Sequence, residues 1–94
     1  MADQRIAPRR LFMCRADLAW SCDGQSKKLS GMVEDRSKSG LGIQVPKSVP
    51  VGTQMTIQFN NEIHSAIVKR CIRSELGFFI GVAFAGESRE AAGA

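Results

Sequence analysis

Residues 28–46, KLSGMVEDRSKSGLGIQVP, consist of two apolar-alternating runs on either side of a polar segment that contains glycine. The positions that share an apolar face are Leu29, Gly31 and Val33 in the first run and Leu41, Ile43 and Val45 in the second, which Pro46 ends. Apolar residues with a period of two are typical of a half-buried strand. The stretch therefore predicts two strands joined by the turn DRSKSGLG, residues 35–42.

The same period continues along most of the chain. LFMCRADLAWSC, residues 11–22, predicts a first strand that a turn at Asp23 and Gly24 ends, and Asn60 and Asn61 suit a tight hairpin between TQMTIQF and EIHSAIVKRCIR. GFFIGVAFAG is apolar on both faces, which indicates a central strand. Six short strands with glycines inside strands favour an all-β fold, a small six-stranded antiparallel β-barrel.

The chain is expected to have three parts, and charge marks the first of them. The net charge is +4, and four arginines against one aspartate place +3 of it in the first 15 residues. We expect a flexible basic arm over residues 1–11, a barrel over residues 12–86 and a tail over residues 87–94 that frays or forms one helical turn. Arginines in a cluster suit phosphate or guanine recognition, and a solvated or membrane-attracted tail is the alternative.

The residue types required for catalysis do not form a recognisable set. His64 is the only histidine and lies within a strand, where a satisfied or exposed side chain is the simplest interpretation, and Glu62 is interpreted as a hairpin charge. The three cysteines have no CxxC spacing, so we expect no metal and no cofactor. We predict a protein that is not an enzyme, and the absence of a long apolar run favours the cytoplasm.

The turn and the arginines are the remaining candidates for a function. Asp35 is suited to accept hydrogen bonds from the N1/N2 edge of a guanine, and Ser37 to reach a phosphate or a base. Gly40 is expected to supply a left-handed or tight-turn conformation and room for a ligand, while Arg36 and Lys38 face solvent. Arginines of the arm pair with guanine O6/N7 or phosphates. Aspartate, serine and glycine are also ordinary turn formers.

The ordered set resembles a PilZ domain, the bacterial receptor module for cyclic di-GMP. DRSKSG matches the family pattern [D/N]-x-S-x-x-G with Asp35, Ser37 and Gly40, and RIAPR matches R-x-x-x-R with Arg5 and Arg9. Arg10 extends this pair, and Arg15 is an alternative member because LFMC lies before it. VPVGTQMTIQF and IGVAF are similar to the fourth and closing strands of the family.

The resemblance implies a cytoplasmic receptor that binds cyclic di-GMP and catalyses no reaction. Arg5, Arg9 and Arg10 would fold over the ligand, with Asp35 and Ser37 below it. Gly40 would shape the return of the chain into the next strand. A downstream protein would recognise the changed surface. Two alternatives stay open: an adaptor of the same fold that binds a protein without the nucleotide, and a small barrel that binds RNA or single-stranded DNA. The barrel that binds RNA or single-stranded DNA ranks last, because such proteins stack bases on surface aromatic side chains and this chain has few of them. We expect no stable insertion into a membrane. We also expect no nucleic-acid polymer as a partner.

Overall fold

The computed structural model describes residues 14–86 and 89–90, and the chain forms an antiparallel β-barrel. The strands are β1 (Cys14–Cys22), β2 (Gln25–Arg36), β3 (Gly40–Val45), β4 (Gln54–Phe59), β5 (Glu62–Ser74), β6 (Gly77–Phe84) and β7 (Arg89–Glu90). Strands β1 to β6 follow the order β4-β1-β2-β3-β6-β5, and a β4–β5 ladder closes the barrel. The prediction of an all-β, six-stranded antiparallel barrel is confirmed, with β6 between β3 and β5 as a central strand.

The barrel interior contains the apolar residues that alternation assigned to one face. In β4, Met55, Ile57 and Phe59 are buried while the residues between them are exposed. The other buried apolar residues are Ala16, Leu18, Val33, Leu41, Ile43, Val45, Val49, Ala66, Val68, Ile80 and Val82. Burial of one large aliphatic side chain contributes about 1.5–3 kcal/mol, so this interior is the main source of stability.

Two hairpins have the turns that the sequence predicts. Asp23 and Gly24 have φ angles of 54° and 79°, and Cys22 pairs with Gln25 across them. Asn60 and Asn61 have φ angles of 53° and 63°. Positive φ at both central residues is the geometry whose twist matches the flanking strands, and Asp, Asn and Gly accept it at the lowest cost.

Two register shifts lie on the strands beside β3 and β6. The β2–β3 ladder shifts between Val33 and Asp35, and the β5–β6 ladder shifts between Val68 and Arg70. Each shift leaves one extra residue, Glu34 or Lys69, and such a bulge bends the strand and redirects the side chains after it. Asp35 and Arg70 are the residues that follow the two bulges.

The tail differs from the prediction where the structure describes it. Arg89 pairs with Ile63 and Glu90 with Glu62, so these two residues add a short strand, β7, to β5. The expectation of a helical or frayed tail is wrong for them, because the edge of β5 offers backbone partners that local propensity does not reveal. The arm over residues 1–11 lies outside the described residues. The described part of the chain has no helix long and apolar enough to cross a membrane.

Candidate functional site

The connection between β2 and β3 is a turn organised by Ser37. The Ser37 amide donates to the carbonyl of Gly40 at 3.0 Å, and the Ser39 amide donates to Ser37 Oγ at 3.2 Å. The Ser37 hydroxyl lies 3.5 Å from the Gly40 carbonyl, which is a long hydrogen bond. Ser37 Oγ also lies 3.5 Å from Ser39 Oγ, so Ser37 shapes the turn as an acceptor at 3.2 Å, while both possible acceptors for its own proton are distant.

Gly40 is required for a reason other than the predicted one. Its φ is not positive, so the expected left-handed conformation is absent. A Cβ at this position would instead overlap the carbonyl oxygen of Val82 on β6. Gly40 permits the close approach of β3 to β6, and the space left by its missing side chain is occupied by protein rather than open to a ligand.

A groove lies on the outer face of the barrel next to this turn. Its volume is about 290 Å³, and its lining includes Asp35, Ser37 and Phe79. The floor contains Gly42 and Gly81, which are paired across β3 and β6. A Cβ on Gly42 would lie 2.5 Å from Phe79 Cζ and 3.2 Å from Asp35 Cβ. The missing side chain at Gly42 thus allows the phenyl ring and the aspartate to converge above the strand.

Basic residues of β5 form the other side of the groove. Lys69 and Arg70 both line it, and the Arg70 side chain crosses Gly81, with Cγ and Nε each 3.3 Å from the position of a Cβ on that glycine. The groove therefore combines a carboxylate, a hydroxyl, an aromatic ring and two cations. This set suits a ligand with a planar hydrogen-bonding ring and a negative group.

Sequence reasoning missed Lys69, Arg70 and Phe79 as site residues. A signal for the bulge was present in the sequence, because the two cations Lys69 and Arg70 separate the apolar residues Val68 and Cys71. In the structure Val68 is buried and Cys71 packs against the core. Strict alternation cannot place positions 68 and 71 on the same face, so an extra residue between them was required. The side chains next to this bulge are set by the packing of β3 and β6. Alternation within β5 does not identify them.

The predicted site arginines are only partly described. Arg5, Arg9 and Arg10 lie outside the described residues. Arg15 is on the outer face of β1, where Nη2 lies 3.3 Å from Asp17 Oδ1 and 3.1 Å from Ser30 Oγ. It does not line the groove of Asp35 and Ser37. The structure brings Asp35, Ser37 and Gly40 together and leaves Arg15 outside that set.

Arg36 has a structural role, so its assignment to solvent is wrong. Its Nη2 lies 3.2 Å from Glu62 Oε1, and its Cζ lies 5.3 Å from the centroid of the Phe59 ring. Glu62 Oε1 is also 2.8 Å from Nε2 of His64. Arg36 thereby connects the end of β2 to the start of β5. An ion pair as exposed as this one contributes at most about 1 kcal/mol. Lys38 is exposed, as predicted.

His64 is the satisfied strand residue that the sequence predicts. It is 2% exposed, and its ring stacks with Phe59 at 5.3 Å and Phe84 at 4.5 Å between centroids. Burial tends to raise the pKa of Glu62, but the hydrogen bond to His64 and the positive charge of Arg36 outweigh it, and the net pKa is lowered. Glu62 is therefore a bridging carboxylate, and its interpretation as a simple hairpin charge is wrong.

Comparison of the chain with known protein families gives no match, and a search of curated proteins gives none either. The resemblance to PilZ domains therefore stays a prediction from the sequence, which uses Asp35, Ser37, Gly40, the arginines of the arm and the likeness of VPVGTQMTIQF and IGVAF to strands of that family.

Proposed function

We propose that the chain is a non-catalytic receptor module for cyclic di-GMP that acts in the cytoplasm and signals to a downstream protein. The observation that carries the proposal is the convergence of Asp35, Ser37 and Arg70 around one groove above Gly42 and Gly81. A groove of about 290 Å³ is at the lower end of the range for ligand pockets. It suits one guanine of the dinucleotide, with the remainder of the ligand outside the groove.

Each side chain of the groove has a role that matches its chemistry. The Asp35 carboxylate accepts hydrogen bonds from guanine N1 and N2, because a carboxylate is an acceptor and that edge only donates. The Ser37 hydroxyl donates to a phosphate oxygen. Phe79 contacts the base, and the Arg70 guanidinium pairs with a phosphate or with guanine O6/N7.

The position of β1 supports a contribution from the arm. Cys14, the first described residue, pairs with Val33, two residues before Asp35. Arg10 is four residues before Cys14 and Arg5 is nine, so an extended chain reaches at most about 14 Å and 32 Å respectively. Both distances are sufficient for the arginines to contact a ligand in the groove. In the proposal the arm closes over the ligand, and this step changes the surface that a partner reads.

Calorimetry with cyclic di-GMP tests the proposal. Wild-type protein is expected to bind, and Arg9→Ala and Asp35→Ala are each expected to lose about 10- to 100-fold in affinity, because each removes a charge-assisted contact. Lys38→Ala is the control, since Lys38 is exposed and does not line the groove. Far-UV circular dichroism verifies the fold of each variant. Unchanged affinity in both site variants would contradict the assignment.

A second candidate function is an adaptor that binds a protein without the nucleotide. The observation that favours it is the exposure of apolar side chains on the outer face: Ile72, paired with Phe79 across β5 and β6, is 50% exposed, and Met32 on β2 is 38% exposed. Leu76, at the tip of the β5–β6 hairpin, is 79% exposed. Wild-type protein that shows no binding of cyclic di-GMP would favour this alternative.

A further inference from the structure

A second cleft lies at the other end of β2, between the β1–β2 hairpin and the segment that joins β3 to β4. Its volume is about 720 Å³, and its lining includes Trp20, Lys27, Lys28 and Lys47. Lys27 and Asp35 are eight residues apart on the same strand, which corresponds to about 26 Å. The cleft is therefore separate from the groove of Asp35 and Ser37.

The cleft exists because β1 and β4 pair over a short distance only. Their ladder ends at Ala19 and Thr56, whereas β1 continues to Cys22 and β4 begins at Gln54. Beyond Ala19 the hairpin leaves β4. Trp20 continues the inward alternation of β1, packs partly against the core and lines the cleft with the remainder of its surface. Lys27, on β2, is paired directly with Trp20 on β1.

The electrostatics of the cleft favour an anion. No carboxylate of the described residues lines it, and within that part of the chain Lys27, Lys28 and Lys47 form no ion pair. Lys27 shares the face of Trp20, Lys28 as the next residue of β2 points to the opposite face, and Lys47 belongs to the segment that joins β3 to β4. A polyanion in the cleft lowers the repulsion between these exposed ammonium groups. Lysine presents a point charge with three donors, which suits phosphate oxygens.

We propose that this cleft binds a nucleoside triphosphate, with the phosphates between Lys27 and Lys47 and the base against Trp20. The volume lies within the range of small-molecule sites, and an indole ring is a good surface for a base to stack on. A triphosphate carries enough negative charge to balance the lysines that line the cleft, and its base accounts for the aromatic residue on the same face as Lys27. The site is independent of the proposed binding of cyclic di-GMP.

Fluorescence provides a direct test, because Trp20 is the only tryptophan and the chain contains no tyrosine. Titration of the full chain with ATP is expected to change the emission of Trp20 in a saturable manner, with a Kd below about 1 mM. Lys27→Ala and Lys47→Ala are each expected to weaken binding about tenfold. Lys38→Ala, a change of an exposed lysine outside the cleft, is expected to leave the Kd unchanged, and so is Asp35→Ala in the groove.

Two further ligands separate the contributions to binding. Inorganic tripolyphosphate is expected to bind about tenfold more weakly than ATP, because it lacks the base that stacks on Trp20. A single-stranded DNA of about ten nucleotides is the second ligand, and it is expected to bind more weakly than ATP at physiological salt. No saturable change with ATP up to about 5 mM would overturn the proposal. Affinity for tripolyphosphate equal to that for ATP, wild-type affinity for ATP in both lysine variants, or preference for the DNA would also overturn it.

Discussion

Gly42 and Gly81 face each other across β3 and β6, and the absence of both side chains gives Phe79 and Arg70 room to lie across the floor of the groove. The two glycines have different neighbours. A Cβ on Gly42 would meet the Phe79 ring, whereas a Cβ on Gly81 would meet only the flexible side chain of Arg70. The same substitution is therefore expected to have different consequences at the two positions.

Gly42→Ala is expected to destabilise the barrel by about 1–3 kcal/mol and to displace Phe79, because the ring cannot remain 2.5 Å from a methyl group. Gly81→Ala is the matched control, with an expected cost of less than about 1 kcal/mol, because the Arg70 chain can move by the few tenths of an ångström required. Urea unfolding of both variants measures the difference. Equal losses of stability would contradict the described position of Phe79.

Arg70→Ala is expected to weaken the binding of cyclic di-GMP by about 10- to 100-fold, the value of one hydrogen-bonded charge. Arg70→Lys is expected to recover only part of the affinity, because lysine keeps the charge but not the planar fork of donors. Arg73→Ala is the control, since Arg73 stacks on Phe78, 5.8 Å from Cζ to the ring centroid, and does not line the groove. Calorimetry on the three variants checks this, and a similar loss in Arg73→Ala would show that the effect is general electrostatics.

Glu62 is expected to make the free energy of unfolding depend on pH in the acidic range. Its pKa is lower in the folded chain than in the unfolded chain, so its stabilising contribution is complete above the unfolded value of about 4.3. That contribution is lost as the pH falls through the folded pKa. The free energy of unfolding of Glu62→Gln should therefore fall less steeply than that of the wild type below about pH 4.3.

Glu75→Gln is the control for this measurement, because Glu75 is exposed in the turn between β5 and β6. Denaturant unfolding at several pH values between about 3 and 7 covers the relevant range. Identical pH profiles for Glu62→Gln and the wild type would show that the bridge to His64 and Arg36 does not affect stability.

Ile57→Ala is expected to reduce the free energy of unfolding by about 2–5 kcal/mol, because Ile57 is fully buried in the barrel interior and its removal leaves a cavity. Ile72→Ala removes the same atoms from a side chain that is 50% exposed, and a cost of less than about 1 kcal/mol is expected. Chemical denaturation of the two variants compares them directly. A larger loss at Ile72 would contradict the assignment of the inner face.

The strands and the tight turns could be predicted from the sequence because their causes are local. Alternation along β3 and β4 follows from the fact that successive side chains point to opposite faces, and Asn60 and Asn61 tolerate the positive φ of the hairpin. Asp35 and Ser37 were predicted as a pair for the same reason, since they belong to one short segment. Both residues line one groove, and their role in binding a ligand stays a prediction.

The remaining features arise from contacts between residues distant in sequence. The bulge after Val68 directs Arg70 across Gly81, and the start of β5 brings Glu62 to Arg36. The approach of Val82 explains Gly40. Alternation specifies which residues can share a face, but a bulge changes that assignment after it, and closure of the barrel decides which faces meet. Residue pattern was therefore sufficient for the six strands of the barrel, while register and closure decided which charges, rings and glycines form the groove and the cleft.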